Sequence, residues 1–567
     1  MDNSITCLTI SDFNLGNFNA LLANDESVPE VVPLESSYGQ VYQVLAGYSD
    51  QYRQQGPACA MIWTRPESVI PSYSRLIRYE NIQTDVLLSE VRQYADLIAL
   101  AADHTQTVFV IDWVRPTYDR GHGMLDLRSG QGSSHLLMRM NIELCEALSS
   151  RSNVFVLSSR RWIEKAGSGA FNPKLWYMGK IPFSNDVFRS AVTDIKAALN
   201  GLAGRARKLV IVDLDDTLWG GIVGDAGWEN LVLGGHDPVG EAFADFQIAL
   251  KSLANRGLLL GIVSKNEESV AMEAISRHPE MVLKQDDFAG WRINWKDKAQ
   301  NIVDLVTELN LGLQSVVFID DSPAERARVR DVLPEVFVPE WPKDKMMYTK
   351  VLLELDCFDT PSLTSEDRQR TRMYAGEKKR KASQVEVASI EEWLAKLQVQ
   401  VEIELLHKGN LARASQLLNK TNQMNLSTRR MTEEQFMNWA LGKNNRVWTF
   451  RISDKFGAMG LTGITSISVE QDEARIIDFV LSCRVFARKI EEVMLAVAVE
   501  YARSLGLRRV VAKYLQTAKN KPCMEFFMRC GMNCDMPEDA FTWSTEKDYP
   551  YPEQLHIEWI NKGQGDL

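Results

Sequence analysis

Cysteine is scarce in this sequence. Only 8 of its 567 residues are cysteines, no two of them form a Cys-x-x-Cys pair, and none stands at a spacing typical of a Cys/His zinc site. A framework of disulfide bonds and a structural zinc site are therefore both excluded as the basis of the fold. We expect most of the cysteines to be buried reduced thiols, which leaves room for one nucleophile.

Long apolar runs and an excess of positive charge are also missing. No run is long enough to cross a bilayer, and the first residues, Met1 to Ser4, are acidic and short of apolar side chains. We therefore expect a cytoplasmic protein with no membrane partner. The net charge of −11 disfavours nucleic acid as a partner. One basic run, Arg368 to Lys381, is more typical of a solvated helix face than of a binding site.

The length of the chain predicts three domains of ordinary size, or four. In the first region, apolar runs such as TVFVIDW at Thr107 to Trp113 and NVFVLSS at Asn153 to Ser159 alternate with helical segments. This alternation predicts an α/β domain with a parallel sheet. The stretch from Ala198 to Lys208 has the composition of a linker, so we place the first domain at residues 1–204.

The second region, residues 205–360, repeats an apolar strand, a polar tip and a helix three times. The strands are KLVIVDLD at Lys208 to Asp215, GLLLGIVSKN at Gly257 to Asn266 and SVVFIDDS at Ser315 to Ser322. Runs that are apolar on both faces predict a parallel sheet covered by helices on both sides. Since ligands of such sheets bind at the carboxyl ends of the strands, the three polar tips should face one crevice.

Those tips carry an unusual amount of negative charge. If the first strand persists, Asp213 and Asp215 point the same way, about 6.5 to 7 Å apart. Asp320 and Asp321 end a neighbouring strand, and carboxylates this close need a proton or a cation. A hard ion such as Mg²⁺ fits them. Polar and basic partners for a phosphoryl group are also present, namely Ser264 and either Lys298 or Lys296.

The order Asp213-x-Asp215-x-Thr217, Ser264, Lys298, Asp320-Asp321 resembles the four signature motifs of the haloacid dehalogenase (HAD) superfamily of aspartate-nucleophile phosphatases. The resemblance implies that Asp213 attacks phosphorus and that Asp215 protonates the leaving oxygen and later activates water. It implies phosphate binding by Thr217, Ser264 and Lys298. It also implies Mg²⁺ held by Asp213, the backbone carbonyl of Asp215 and Asp320, with Asp321 as a further ligand.

The spacing between these motifs leaves little room for an inserted cap domain. About 46 residues separate Thr217 from Ser264, and about 33 separate Ser264 from Lys298. We therefore expect an open, capless site that can take a phosphate carried on a large partner. The Gly-rich segment Trp219 to Gly227 is interpreted as a short flap, and a plain surface turn is an equally good interpretation.

The third region begins near residue 390, after a charged helical linker at residues 361–389. The strand RIIDFVLSC at Arg475 to Cys483 is followed by a helix with an apolar stripe from Ile490 to Tyr501. Five segments, LWGGIVGDAGWENLVLG, NWKDKAQNI, FIDDSPAERARV, NKTNQMNLSTRR and LSCRVFARKIEE, together resemble the FkbH-like family. In that family an HAD phosphatase domain of subfamily IIIC is fused to an acyltransferase domain like those of the GNAT fold.

The family resemblance implies a glyceryltransferase as well as a phosphatase. Known members form a glyceryl thioester on an enzyme cysteine from 1,3-bisphosphoglycerate and pass glyceryl to the phosphopantetheine arm of an acyl carrier protein, which supplies polyketide extender units. Cys483 is the candidate cysteine, because it closes a strand just before a helix, where the helix dipole favours a thiolate. The basic run Arg368 to Lys381 could attract an acidic carrier protein.

The residues after Cys483 depart from the family pattern. Ala487 and Lys489 stand where glycines are usual in the pyrophosphate loop of GNAT folds, so their side chains should crowd the pyrophosphate of coenzyme A. Further candidates for contact with the acyl group or carrier are Asn422, Gln423, Arg484, Asn520 and His407. For KTNQMN, Lys420 to Asn425, a helix end with capping amides is an equally good interpretation.

The first domain resembles the SGNH-hydrolase-like extension of longer FkbH-like proteins, in a flavodoxin-like α/β fold. The resemblance rests on TISDFN at Thr9 to Asn14, with Ser11 at the end of the first strand, and on the following YGQVYQVL. No Asp-x-x-His stands near the end of the domain, where NPKLWYMGKIPFS occurs instead. We therefore expect a non-catalytic scaffold.

Three functions remain open at this point. The first is a glyceryltransferase and phosphatase. The second is a capless Mg²⁺-dependent phosphatase whose third domain, residues 390–567, only binds a carrier or an acyl-CoA. The third is an acyltransferase acting on an amine or a sugar.

Overall fold

The computed structural model describes residues 4–47, 56–362, 390–421, 423–486, 488–517, 520–535 and 540–560. The chain divides into two compact units, Met1–Ala203 and Gly204–Leu567. The second unit carries two separate sheets. Of the predicted charged linker at residues 361–389, only residues 361 and 362 are described. The basic run Arg368 to Lys381 lies outside the described residues.

The first unit is built on a five-stranded parallel sheet in the order β2-β1-β3-β4-β5. This is the strand order of doubly wound, flavodoxin-like folds, and it confirms the predicted α/β class. The strands are β1 (Ile5–Ser11), β2 (Val31–Glu35), β3 (Cys59–Trp63), β4 (Thr107–Ile111) and β5 (Val154–Leu157).

Helices cover both faces of this sheet, because its strands are apolar on both sides. They are α1 (Gly16–Asn24), α2 (Val41–Ala46), α3 (Pro66–Val69), α4 (Pro71–Leu76), α5 (Thr84–Ala102), α6 (Ser133–Leu148), α7 (Arg160–Ala166), α8 (Pro173–Gly179) and α9 (Asn185–Leu202).

The predicted linker at Ala198 to Lys208 is wrong at its start. Helix α9 continues through Leu202, because Leu199 and Gly201 remain on its buried face. The chain leaves the helix only at Ala203 and Gly204, which is also where the two units divide. Ser11 ends β1 as predicted, and its hydroxyl accepts a hydrogen bond from the backbone of Phe13.

The first sheet of the second unit has four parallel strands in the order β8-β7-β6-β9. Three of them, β6 (Leu209–Val212), β7 (Leu259–Ser264) and β9 (Val316–Ile319), confirm the three predicted strands. The edge strand β8 (Phe288–Ile293) was not predicted, because Gly290 and Arg292 interrupt its apolar pattern. The helices are α10 (Val223–Ala226), α11 (Pro238–Asn255), α12 (Glu268–Arg277), α13 (Lys298–Glu308), α14 (Pro323–Val332) and α15 (Tyr348–Glu354).

The second sheet is mixed and runs in the order β16-β17-β15-β14-β13-β12-β10-β18, with β11 paired to β14. Its strands are β10 (Gln400–Leu405), β11 (Met424–Asn425), β12 (Asn445–Asp454), β13 (Gly457–Glu470), β14 (Glu473–Leu481), β15 (Arg509–Lys513), β16 (Asn533–Asp535), β17 (Ala540–Ser544) and β18 (His556–Trp559).

In the described parts of the chain, five helices accompany this sheet, and the predicted stripe from Ile490 to Tyr501 packs in its core, with Tyr501 half-buried. They are α16 (Ile390–Leu397), α17 (Lys408–Lys420), α18 (Glu433–Ala440), α19 (Ile490–Ser504) and α20 (Lys521–Arg529). The mixed α/β class predicted for this region is confirmed. Among the helices in the described parts of the chain, none combines the length and apolar composition that a bilayer crossing needs.

Candidate active site

The register of the four-stranded sheet brings three polar strand ends together. Val212 on the central strand β6 is paired with Ile262 on β7 and with Ile319 on β9. Asp213 and Asp320 therefore follow at the same level on adjacent strands, and Ser264 ends β7 beside them. Parallel strands present their carboxyl ends at one edge, so the three predicted polar tips lie at the same edge of this sheet.

Lys298 lies between two of the carboxylates. Its Nζ is 3.0 Å from Asp213 Oδ2 and 2.6 Å from Asp320 Oδ2, and all three side chains are at most 10% exposed. Burial lowers the pKa of Lys298, but Asp213 and Asp320 more than offset this, so the pKa is raised overall. The structure thereby separates the two predicted lysines, since Lys296 is exposed and only Lys298 contacts the carboxylates.

A third carboxylate completes an acidic group. One oxygen each of Asp213, Asp320 and Asp321 lie within 4.8 Å of one another. Burial and the nearby charge of Asp213 raise the pKa of Asp320 to about 6. Thr217 is fully buried, and its hydroxyl accepts a hydrogen bond from the Asp321 backbone at 3.2 Å and lies 3.4 Å from Asp321 Oδ1. The predicted phosphate-binding Thr217 is thus engaged with Asp321.

This acidic group fits Mg²⁺. Asp213 Oδ1 is buried and has no hydrogen-bond partner among the described residues, although buried carboxylate oxygens are normally paired. Hard oxygen ligands in a group of this size suit a hard divalent cation. Lys298 contacts Oδ2 of both Asp213 and Asp320, and the Ser322 backbone donates to Asp320 Oδ1, so Asp213 Oδ1 is the buried oxygen of the group that is left without a partner among the described residues.

Asp215 faces a different environment from Asp213. The expected continuation of the strand is wrong, because β6 ends at Val212 and the chain then turns tightly, with Thr217 and Leu218 both donating backbone hydrogen bonds to the Leu214 carbonyl. The turn directs the Asp215 carboxylate away from the strand direction.

Three donors hold the Asp215 carboxylate. Trp219 Nε1 and the Val223 backbone donate to its Oδ1 at 2.8 and 3.0 Å, and Asn266 Nδ2 donates to its Oδ2 at 2.8 Å. Burial nevertheless raises the pKa of Asp215 above its usual value, as suits a general acid. The Gly-rich segment after Asp215, which is interpreted as a short flap, supplies two of these three donors, Trp219 and Val223.

The open site predicted from the spacing agrees with the local architecture. Between Thr217 and Ser264 the chain forms α10, a 3-10 turn at Trp228–Asn230, α11 and β7. Outside these elements lie isolated bridges of Trp219 with Asp215 and of Gly220 with Val232, so no inserted cap domain is present in this interval, all of which the structure describes.

Sequence reasoning missed three residues around the site. Asn266 holds Asp215, and its position two residues after Ser264 was a usable signal. Arg326 is buried and donates to the backbone carbonyls of Asp320 and Asp321 at 2.7 and 2.8 Å. The Nζ of Lys345 lies 3.7 Å from Asp321 Oδ2 and donates to the backbone carbonyl of Asp216. Lys345 and Asp216 are 129 residues apart in the sequence, and no motif pointed to Lys345.

The predicted acyl site in the mixed sheet is only partly described. Cys483 lies in a 3-10 turn, Cys483–Val485, and nothing of its side chain is described. The expectation that Cys483 closes a strand just before a helix is wrong, because β14 ends at Leu481 and α19 begins only at Ile490. Lys489 at the helix N-cap has φ +57°, the left-handed conformation that glycine favours. Ala487 and Asn422 lie outside the described residues.

Of the other predicted acyl or carrier contacts, His407 and Asn520 make hydrogen bonds within the chain. His407 is the N-cap of α17, where its Nδ1 accepts from Gly409 and its Nε2 is 3.2 Å from Glu404. Asn520 is fully buried, and its amide bonds Tyr514, Thr517, Asn425 and Leu515. Gln423 is exposed, and the Arg484 carbonyl accepts a hydrogen bond from Arg488.

Strands β14 and β15 separate after four residue pairs, and the segment Met424 to Leu426 fills the gap between them. The two strands pair only from Glu473 to Ile476 on β14. Beyond that point β11 pairs with Leu481 and Val480, and Leu426 bridges the gap by donating to the Phe479 carbonyl at 3.2 Å and accepting from Leu515 at 3.0 Å.

The segment that fills this gap is anchored by a buried charge. Asp478 is 0% exposed and accepts hydrogen bonds from Ser427, Arg429 and Ser466. The guanidinium of Arg429 lies 4.2 Å above the ring of Trp439. Met424 and Asn425 of the motif KTNQMN thus have a structural role, because they form the strand β11 of this sheet.

Solved structures resemble this chain. The N-terminal part of the protein BF1531 from Bacteroides fragilis, which contains a phosphatase domain complexed with Mg, matches it with a TM-score of 0.58 and 28% identity, over 64% of this chain and 95% of that chain. The likeness supports an HAD-type phosphatase domain, and the magnesium in that structure agrees with the predicted cofactor.

Two acetyltransferases match over a shorter part. A mutant of spermidine N-acetyltransferase SpeG from Vibrio cholerae covers 26% of this chain and 95% of its own, with 14% identity and a TM-score of 0.21. The ribosomal-protein-S18-alanine N-acetyltransferase from Escherichia coli covers 28% and 99%, with 11% identity and a TM-score of 0.20. No family model and no curated protein matches this chain.

Proposed function

We propose that this chain is a Mg²⁺-dependent phosphatase that uses Asp213 as its nucleophile. One observation carries the proposal: a buried oxygen of Asp213 has no partner among the described residues, while Lys298 and two further carboxylates surround the same side chain. A buried carboxylate oxygen without a hydrogen-bond partner is suited to bind a cation, and the neighbouring carboxylate oxygen to attack a phosphoryl group.

The chemistry follows from the two different carboxylates. Asp213 attacks phosphorus, the bond from phosphorus to the leaving oxygen breaks, and an aspartyl-phosphate forms. Asp215 gives its proton to that leaving oxygen and then removes a proton from the water that hydrolyses the aspartyl-phosphate. Mg²⁺, held by Asp213, Asp320, Asp321 and the Asp215 carbonyl, would offset the negative charge of the phosphoryl oxygens.

Ser264 and Lys298 are the groups that bind the phosphoryl oxygens in this proposal. Ser264 ends β7 and is 1% exposed, and Lys298 supplies a buried positive charge. Because no cap domain lies between Thr217 and Ser264, a phosphate on a large partner can enter.

We further propose that this partner is an acyl carrier protein, and that the phosphatase acts on a glyceryl group. The support is the resemblance to the FkbH-like family in the segments around Asp213, Lys298, Asp320, Asn425 and Cys483. The Cys483 thiolate would attack the acyl phosphate of 1,3-bisphosphoglycerate and release inorganic phosphate. The remaining phosphate is hydrolysed, and glyceryl passes by thioester exchange to the phosphopantetheine thiol.

The division into domains at 1–204, 205–360, 361–389 and 390–567 belongs to the same proposal. The separate sheets of the second unit support it. A second candidate function has one observation in its favour: Lys489, at the N-cap of α19, has φ +57°, the conformation that glycine favours, so a side chain stands where the acyltransferase resemblance expects a glycine. In that case the C-terminal domain only binds a carrier or an acyl-CoA, and the phosphatase acts alone.

Phosphate release from a test phosphomonoester tests the phosphatase. Asp213→Asn should lower kcat by about 10⁴-fold or more, since it removes the nucleophile. Asp225→Asn, in the exposed part of α10, is the matched control and should stay within about twofold. Equal activity of Asp213→Asn and the control would contradict the proposal.

Intact-mass analysis of a phosphopantetheinylated acyl carrier protein tests the transfer. It is incubated with the chain, Mg²⁺ and enzymatically generated 1,3-bisphosphoglycerate. A glyceryl mass that is lost with Cys483→Ala and kept with Cys534→Ala, whose cysteine is exposed, would support transfer. A phosphoglyceryl mass with Asp213→Asn would place dephosphorylation after acyl capture. No loading by the wild type, with phosphate release intact, would favour the second candidate.

A further inference from the structure

The turn that carries the nucleophile contains a backbone conformation that its sequence does not favour. Asp216 has φ +54°, in the left-handed region that side chains with a Cβ atom rarely adopt. It lies between Asp215 and Thr217, so any change in its conformation would move both neighbours. Contacts from outside the turn stabilise this conformation.

Two side chains from a distant part of the chain hold the Asp216 carbonyl. Lys345 Nζ donates to it at 2.7 Å and Tyr348 Oη donates at 3.3 Å. Lys345 lies in a 3-10 turn, Lys345–Met347, whose N-cap is Asp344, and Tyr348 begins α15. The donors therefore come from an ordered element that packs on the site from outside the strand ends.

Lys345 also faces the carboxylates of the site. Its Nζ is 3.6 Å from Asp216 Oδ1 and 3.7 Å from Asp321 Oδ2. Asp321 belongs to the acidic group that fits a divalent cation. A fixed ammonium at this position attracts Asp321 and repels a cation bound next to it. The two roles of Lys345, as a donor to the turn and as a neighbouring charge, should affect different measurements.

We propose that Lys345 is a positioning residue of the phosphatase site that fixes the turn at Asp216 and weakens the binding of a cation to Asp213, Asp320 and Asp321. The inference rests on the proposed function only for its effect on catalysis. Its effect on cation binding is independent of any reaction.

Lys345→Met tests both roles, because methionine keeps much of the side-chain length but has neither charge nor donor. Direct binding of Mn²⁺, followed by electron paramagnetic resonance, should become tighter by about threefold to thirtyfold, since a repelling charge is lost. In the same variant kcat at saturating Mg²⁺ should fall by about tenfold or more, with KM changed less, since the turn is no longer fixed.

Two further variants separate the charge from the hydrogen bond. Tyr348→Phe removes one donor to the same carbonyl and no charge, so kcat should fall by about twofold to tenfold while Mn²⁺ affinity stays unchanged. Lys350→Met, on the exposed face of α15 and 3.9 Å from Glu354, is the control and should change neither quantity.

The inference predicts that Lys345→Met binds Mn²⁺ more tightly but has a lower kcat, and this combination distinguishes it from a purely structural role. A residue that only maintained the fold would weaken Mn²⁺ binding and lower kcat together, and that result for Lys345→Met would overturn the inference, as would an unchanged kcat. If Lys345→Met does not fold, Lys345→Arg replaces it and should keep wild-type Mn²⁺ affinity; a change above about tenfold overturns the inference. If the wild type releases no phosphate, the proposed function fails, while the Mn²⁺ measurement still tests the charge.

Discussion

The two sheets of the second unit carry buried charge in different states. At the strand ends of the four-stranded sheet, Lys298 is shared between Asp213 and Asp320, and one oxygen of Asp213 has no partner among the described residues. In the mixed sheet, Asp478 is equally buried but is fully enclosed by Arg429 and two serines. Buried charge that the chain satisfies by itself supports the structure, whereas buried charge that it leaves incomplete marks a site for a ligand.

Of the changes that bear on this contrast, replacing Lys298 by methionine should have the largest effect. Without its cation the site should lose about 10³-fold in kcat, because developing phosphoryl charge is no longer offset. In EDTA the free energy of unfolding should also fall by about 3–5 kcal/mol, since Asp213 and Asp320 are left unpaired.

Urea unfolding with and without Mg²⁺, alongside phosphate release, measures both effects. Mg²⁺ should restore the stability of Lys298→Met but not its rate, and Lys296→Met, with its exposed side chain, is the control. Recovery of the rate with the stability would mean that Lys298 only balances charge.

Asp478→Asn tests the other side of the contrast. Removing this carboxylate leaves Arg429 without its buried partner, so the free energy of unfolding should fall by about 3–5 kcal/mol. Phosphate release per folded molecule should be unchanged. Ser427→Ala, which removes only the longer 3.3 Å contact, should cost about 1 kcal/mol or less. If Asp478→Asn kept full stability, the charge in the mixed sheet would have to serve a ligand instead.

Asn266→Ala should have the smallest effect, and it concerns the acid rather than the nucleophile. The hydrogen bond from Asn266 lowers the pKa of Asp215, so its loss should raise that pKa further above the usual value. In the proposed mechanism the first chemical step needs protonated Asp215, so kcat/KM should fall as the pH rises through its pKa.

The falling limb of the pH profile of kcat/KM should therefore move to higher pH in Asn266→Ala, and kcat should drop by about tenfold because the carboxylate is less well held. A profile recorded over about pH 4 to 9 at saturating Mg²⁺ measures the shift. A limb that moves to lower pH would show that Asp215 is not the acid.

The sequence was informative where one local pattern decides the structure. Apolar runs on both faces predicted β6, β7 and β9, and the rule that ligands bind at the carboxyl ends of parallel strands brought Asp213, Ser264 and Asp320 to one edge. The helix that begins at Ile490 was predicted from apolar residues at helical spacing. These features need no knowledge of distant contacts.

The features that were missed depend on contacts between distant segments. The partner of the Asp216 carbonyl, Lys345, is 129 residues away, and nothing near either residue marks the pair. The strand β11 is only two residues long and forms because Asp478 and Leu515 hold the adjacent segment. Strand β8 escaped notice because an edge strand tolerates the glycine and arginine that break its pattern.

The pairing of β10 with β18 has a consequence for how the chain is made. Gln400 to Ile403 lie beside His556 to Trp559, so this edge of the mixed sheet closes only after the residues up to Trp559 have left the ribosome. The four-stranded sheet, by contrast, has all its strands once Ile319 has emerged. Domains fold as units during synthesis, and pairings between distant segments form slowly. The four-stranded sheet can therefore be complete before β18 has been synthesised and has paired with β10.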